Sequence, residues 1–328
     1  MDRREFIVAL AGASVAAPLI GNAQQPGKVW RLGYLGLTPI TEPPSPERAG
    51  FLASLAERGY APGKTLSIDY RSGDGDPTRL PLLADELVRE RVDAIVVTTS
   101  NAAQAVAKAT KTIPIVMLGI GDPIAAGVVS NLARPGSNVT GTSWQSIDLV
   151  GKRLGLLKEL LPRASHIAYL WNPDVAIARP GYVAAQHAAR QLGLSLDDLR
   201  VANAGDLERA IQSLERRRPD ALYVIYDSKI STYRKIIADA AISLKLPAIS
   251  GHRSFVEAGG LVSYAADLTE LFRRGANYVD RVLRGARPGD LPIEQPTKFE
   301  LIMNLKTAKA LGLTIPQSLL LRADEVIQ

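Results

Sequence analysis

A chain of 328 residues that is 46% hydrophobic, 22% charged and 5% aromatic has a globular composition and enough length for two packed cores, which excludes disordered and fibrous classes. Lys+Arg 39 against Asp+Glu 33 leaves a formal charge of +6 with no basic block, so nucleic acid is not an expected partner. The absence of cysteine removes disulfides, thiol catalysis, iron–sulfur clusters and thiolate-ligated zinc together.

Residues 1–23 read as an export signal. Arg3 and Arg4 form a positive start, Ile7 to Ile20 is apolar and small, and Gly21-Asn22-Ala23 is a small-x-small cleavage site. Arg3-Arg4-Glu5-Phe6-Ile7 also has the form of a twin-arginine signal, diluted by Asp2 and Glu5. No cysteine follows for a lipid anchor, and no later stretch approaches the roughly 20 apolar residues of a membrane span. A mature chain that is not membrane-inserted is expected.

After the leader, Arg31 to Leu35 is an apolar strand, and Ser45-Pro46-Glu47 opens a helix with a capping hydroxyl and an N-terminal proline. Leu66 to Tyr70 alternates as a strand. Asp76-Pro77 starts a helix whose Leu80, Leu83, Ala84, Leu87 and Val88 recur on one face. Ala94–Val97 and Ile113–Leu118 are continuous apolar strands with a helix over 102–110 between them. Fully apolar strands alternating with helices predict a parallel sheet covered on both faces.

The second half repeats the order. His166–Trp171 matches the first strand, 206–216 the second helix and 221–225 the third strand. The letters themselves echo: LVRERVDAIVV at 87–97 against LERRRPDALYV at 214–224. The fold class expected is therefore α/β with two Rossmann-like, doubly wound lobes and a hinge. A strand at 261–264, a helix over 267–285 and an alternating strand at 299–305 are expected to complete both sheets. The division predicted is 28–142 plus 262–295 for the first lobe and 143–261 plus 296–328 for the second. Several crossings between lobes make a hinge, and a hinge makes a cleft.

Catalytic motifs are absent from the sequence. Gly63-Lys64-Thr65 lacks the first glycine of a phosphate loop, and Gly119-Ile120-Gly121 lacks the third glycine and the acidic residue of a dinucleotide fingerprint. His166, His187 and His252 have no metal-ligand spacing, and Ser143 lacks the closing glycine of a nucleophile elbow. No catalytic residue, metal or cofactor is expected.

Polar residues do gather beyond the carboxyl ends of the strands, where parallel sheets bind ligands. In the first half these are Thr38, then Thr99, Ser100 and Asn101, then Asp122, Ser143 and Trp144. In the second they are Asn172, Asp227 and Tyr264. Ser100 or Asn101 is expected to cap the following helix and seat a carboxylate, with Asp227 opposite it for an ammonium. Trp144 and Trp171 offer aromatic faces.

Ile113-Pro114-Ile115-Val116 through Gly121-Asp122-Pro123, then LARPGSNVTG at 132–141, Trp171-Asn172-Pro173, and the run YVDRVLRGARPGDLPIEQPTKFELIMNLKTAKALGLTIPQSLLLRADEVI at 278–327 carry a resemblance. Together they resemble the tryptophan/tyrosine-type ABC transporter substrate-binding protein family over essentially the whole mature chain. The resemblance implies a type I periplasmic-binding fold with three crossovers. It implies a periplasmic monomer that captures a small organic solute, an amino acid or an aromatic or carboxylate compound, and delivers it to an ABC permease and, through it, an ATPase. A ligand-reading sensor subunit and an exported α/β enzyme are the alternatives.

Overall fold

The computed structural model describes residues 28–144, 147–175 and 177–328; the expected export leader lies outside them. The first lobe begins with strand β1 (Trp30–Gly36). Helix α1 (Pro46–Glu57) follows; it starts where the Ser45 hydroxyl accepts the Arg48 N–H and where Pro46 sits at a position that needs no donor. The lobe continues through β2 (Leu66–Ser72), α2 (Leu80–Arg89), β3 (Ala94–Val97), α3 (Ser100–Ala109), β4 (Ile115–Ile120) and β5 (Val139–Ser143). The five strands are parallel in the order β2-β1-β3-β4-β5. Every residue of β3 is buried, because helices cover both faces of the sheet.

The second lobe runs through α4 (Val150–Leu160), β6 (His166–Trp171), α5 (Ala178–Gln191), β7 (Ser195–Arg200), α6 (Ala204–Arg217) and β8 (Ala221–Val224). It continues with α7 (Ser228–Thr232), α8 (Arg234–Ser243), β9 (Ala248–Ser250), α9 (Arg253–Glu257) and β10 (Val262–Ala266). The tail adds α10 (Leu268–Leu283), β11 (Phe299–Asn304), α11 (Leu305–Leu311), α12 (Gln317–Leu320) and β12 (Glu325–Ile327). The sheet order is β12-β11-β10-β9-β8-β6-β7, in which only the β10–β11 pair is antiparallel.

The two lobes repeat one another in detail. The order β7-β6-β8-β9-β10 reproduces β2-β1-β3-β4-β5. The aligned letters at 87–97 and 214–224 also adopt the same backbone. Arg91 and Arg218, at matching places, are both left-handed with φ of 53° and 47°. Two residues on, Asp93 accepts the Arg31 N–H at the start of β1, and Asp220 accepts the His166 N–H at the start of β6. Each aspartate thus ties a third strand to its neighbouring first strand.

The tail departs from the expected division. Strand β10 lies in the second sheet, as the counterpart of β5, so the second crossing falls after Ala266 and not before Val262. The later strands β11 and β12 also join the second sheet, so they do not complete both. Helix α10 and the segment after it, to Glu294, return to the first lobe, where the Ser54 hydroxyl donates to Arg273 O at 3.0 Å, Tyr60 donates to Asp280 at 2.8 Å and Ile293 N donates to Leu132 O at 2.7 Å. The first crossing leaves β5 after Ser143. The third leaves beside it, where Ser143 N donates to Glu294 O at 2.8 Å. At these crossings Trp144, Ala266, Leu268 and Leu271 form a small apolar cluster of their own, distinct from the four lobe-face cores.

Candidate functional site

A cavity of about 920 Å³, open mouth included, lies between the lobes beyond the carboxyl ends of their strands. Its first-lobe wall is built from Tyr34, Leu37 and Thr38 at the end of β1, Ser45 and Glu47 at the start of α1, Thr98–Asn101, and Gly119 and Gly121. Val175, Ile177, Tyr226, Asp227 and Ser228 come from the second lobe, with Trp144, Leu268 and Phe272 at the crossings.

Two helix caps with opposite chemistry meet in this cavity. In the first lobe Thr99 caps α3: its hydroxyl accepts the Ala102 N–H at 3.2 Å and its carbonyl accepts the Ala103 N–H. The cap is Thr99 and not Ser100 or Asn101, so the helix begins at Ser100, two residues earlier than periodicity predicts. The N–H groups of Ser100 and Asn101 are left over at the positive end of a ten-residue helix. The Ser100 side chain is buried beside them.

The cap at the matching place in the second lobe is Asp227. One carboxylate oxygen, Oδ1, accepts the N–H groups of Lys229 at 2.7 Å and Ile230 at 3.0 Å. The other, Oδ2, is buried and accepts no hydrogen bond. Burial pushes the Asp227 carboxyl up to about 6, against the pull of those two N–H groups and of the neighbouring Asn172 amide and Lys229 charge. One oxygen of this buried carboxylate is therefore left without a protein donor.

Aromatic rings line the space between the caps. Tyr226 meets Trp144 edge-on with centroids 5.2 Å apart, and its other side stacks on His252 at 4.1 Å. Among the described residues, no lysine, arginine or histidine lines the cavity; its ionisable carboxylates are Glu47 and Asp227.

The family model for ABC transporter substrate binding proteins matches residues 40–327. This chain belongs to that family. A "Tyrosine-binding protein" of Clostridioides difficile (strain R20291) is 31% identical over 282 residues, covering 85% of this chain and 81% of the relative. Among solved structures, a conserved domain protein from Vibrio cholerae is 31% identical with a TM-score of 0.86, over 91% of this chain and 100% of that one. The ABC domain from Streptococcus pneumoniae in complex with L-Trp is 28% identical with a TM-score of 0.84, over 91% of this chain and 99% of that one. A ligand-free, open substrate binding protein with adhesive properties from Clostridium difficile is 27% identical with a TM-score of only 0.67, over 92% of this chain and 100% of that one.

This substrate-binding protein therefore has the type I periplasmic-binding fold and is the extracytoplasmic solute-binding component of an ABC importer. No helix among the described residues is long and apolar enough to cross a membrane.

Of the residues singled out in the sequence, Thr38, Thr99, Ser100, Asn101, Trp144 and Asp227 line the cavity of this substrate-binding protein. Asp122 does not: its Oδ1 accepts the N–H groups of Ile124 and Ala125 in a turn. Ser143 is buried at the end of β5, and Tyr264 turns its ring toward Phe299, 6.0 Å away, while its carbonyl accepts from Arg153. Asn172 is buried one layer behind Asp227, with its Oδ1 accepting the Asp174 N–H. Trp171 is likewise away from the cavity, stacked on Tyr182 and donating to Asp198. Sequence reading missed Tyr34, Glu47 and Phe272. Glu47 carried one signal, its place in the first turn of a helix that begins just after a strand-end loop, which reads equally as ordinary N-terminal charge placement.

Proposed function

We propose that this protein captures a zwitterionic amino acid with an aromatic side chain in the interlobe cavity and hands it, unaltered, to the permease. The observation that carries the reading is the pair of opposed caps. Free N–H groups and a serine at the start of α3 suit a carboxylate, and the Asp227 carboxylate on the opposite wall suits an ammonium. Trp144, Tyr226 and Phe272 supply apolar faces for the side chain. The relatives described as tyrosine-binding and as complexed with L-Trp support the same class. The site residues proposed are Thr38, Thr99, Ser100, Asn101, Trp144, Tyr226 and Asp227.

In this reading the mature chain begins after Ala23, is periplasmic and acts as a monomer beside a permease and its ATPase. Intact-mass analysis of exported material with Met1 still present would refute the cleavage. For the ligand, calorimetry of the mature chain against L-tryptophan, L-tyrosine, 3-indolepropionate and tryptamine is the test. Either amino acid should bind at least about thirtyfold tighter than its analogue lacking the amine or the carboxylate, since each lost charged partner costs roughly 2–3 kcal/mol. Equal binding of all four, or appearance of a reaction product, would sink the proposal.

A further inference from the structure

His252, the histidine with no metal-ligand spacing, stands directly behind the cavity wall. It follows β9, is buried, and caps α9: its Nδ1 accepts the Ser254 N–H at 3.2 Å and lies 2.8 Å from the Ser254 hydroxyl oxygen. With Nδ1 as acceptor the ring proton sits on Nε2, and burial holds the imidazole down at about 4, so the ring is neutral at physiological pH. Nε2 lies 3.8 Å from Glu47 Oε1 of the first lobe, beyond hydrogen-bond reach. The cap thus uses one nitrogen and fixes the plane of a whole ring. The Tyr226 ring lies on that plane, with centroids 4.1 Å apart and 12° between the planes. Tyr226 itself belongs to the loop between β8 and α7, where no ladder or helix fixes its side chain, yet it lines the cavity and meets Trp144 edge-on at 5.2 Å and 77°.

We propose that His252 is a positioning residue for ligand binding: its imidazole face holds the Tyr226 ring against Trp144, so the aromatic wall of the cavity is ordered before a ligand arrives. This rests on the reading that an aromatic amino acid occupies the cavity, and it adds the residue behind the lining that sets the wall. A ring free to change rotamer would have to be immobilised at each binding event, and the stack removes that cost beforehand. The near-parallel contact with His252 and the edge contact with Trp144 are both favourable aromatic geometries, so Tyr226 is held from two sides.

The test uses the full mature chain with His252→Asn and His252→Phe. Asparagine is a good helix cap without a ring; phenylalanine has a ring face but cannot accept at the cap. In calorimetry with L-tryptophan, His252→Asn should bind about three- to tenfold more weakly than wild type, and His252→Phe within about twofold of it. In a Tyr226→Leu background the His252→Asn change should cost less than about twofold, because the ring it positions is gone. A second readout needs no ligand: the Trp144 indole signal in nitrogen–proton correlation spectra, assigned by its loss in Trp144→Phe, should move in His252→Asn and stay in His252→Phe. Wild-type affinity in His252→Asn, equal losses in both variants, or an undiminished loss in the Tyr226→Leu background overturns the proposal; the last is what a merely structural histidine would give. If neither L-tryptophan nor L-tyrosine binds the wild type, the amino-acid reading fails on its own account. In that case, or if Tyr226→Leu does not bind, the indole signal decides: movement in His252→Asn alone upholds the positioning role, and any other pattern overturns it.

Discussion

The side-chain amide of Asn101 donates to the backbone carbonyl of Asp174 at 3.3 Å, and this bond joins the first lobe to the second. Asn101 lies in the first turn of α3, so one short segment offers its backbone N–H groups to the cavity and its side chain to the opposite rim. Because the acceptor is main chain, only Asn101 can be changed without moving the partner. Asn101→Ala should weaken ligand binding about three- to tenfold, from the loss of roughly 1 kcal/mol available only in the closed state. The loss should appear as faster dissociation in stopped-flow measurements. A dissociation rate equal to wild type would show that the bond adds nothing to closure.

If Asp227 holds the ligand ammonium as proposed, binding should depend on pH. Its carboxyl is raised to about 6 by burial, with Lys229, Tyr226 and the Asn172 amide as the groups facing it. A ligand ammonium prefers the ionised form, so affinity should be constant above about pH 7. It should then fall by up to about tenfold per pH unit below 6, as the proton competes with the ligand. Calorimetry at pH 7.5, 5.5 and 4.5 measures this; a flat profile would remove Asp227 from the site.

Stability has the opposite sign. A folded-state value of about 6, above the ordinary 3.8, means that the folded chain holds this proton more tightly than the unfolded chain does. The burial of Asp227 therefore costs little near pH 4 and costs roughly 3 kcal/mol, to order of magnitude, once pH exceeds 6. Asp227→Asn keeps an oxygen for the Lys229 and Ile230 N–H groups while removing the charge. Ligand-free Asp227→Asn should melt a few degrees above wild type at pH 8 and converge with it near pH 4, while losing amino-acid affinity. A lower melting temperature at pH 8 would show that the ionised carboxylate is satisfied in the folded protein.

Gly141 tests the hinge. It has φ of +125° in β5, two residues before the first crossing, and an added Cβ would lie 2.2 Å from Met117 O and 2.5 Å from Met117 N. Backbone cannot yield as a side chain does, and the conformation is itself strained for any L side chain. Gly141→Ala should cost about 3 kcal/mol or more, read as a lower denaturation midpoint. Near-wild-type stability would mean that β4 and β5 can separate locally at this point.

Trp144 packs with Ala266, Leu268 and Leu271 at the crossings while one edge meets Tyr226 and lines the cavity. Trp144→Phe keeps an apolar ring but shortens it. The expected outcome is an affinity loss of about ten- to a hundredfold for aromatic ligands, with a stability loss of only ~1–2 kcal/mol. Unchanged affinity would place the ligand side chain elsewhere in the cavity.

Local signals determined a great deal about this protein. The apolar run 94–97, the periodic face of Leu80, Leu83, Ala84 and Leu87, the cap at Ser45-Pro46 and the echo between 87–97 and 214–224 are each contained in a few consecutive residues, and the structure realises each. The placing of polar residues beyond strand ends is also local, which is why Thr99, Ser100, Asn101 and Asp227 were legible before the fold. Which strand ends face one another was not. Val262–Ala266 went to the second sheet because the fifth place there was vacant beside β9, a fact of sheet order that its letters do not carry. Asp122, Ser143, Asn172 and Tyr264 share the composition of the cavity residues, yet turn closure, strand burial or a layer of packing keeps them out of it. Glu47 reads in sequence as ordinary helix-start acidity. Only the approach of two lobes, set by three crossings far apart in the chain, brings it into one cavity with Asp227.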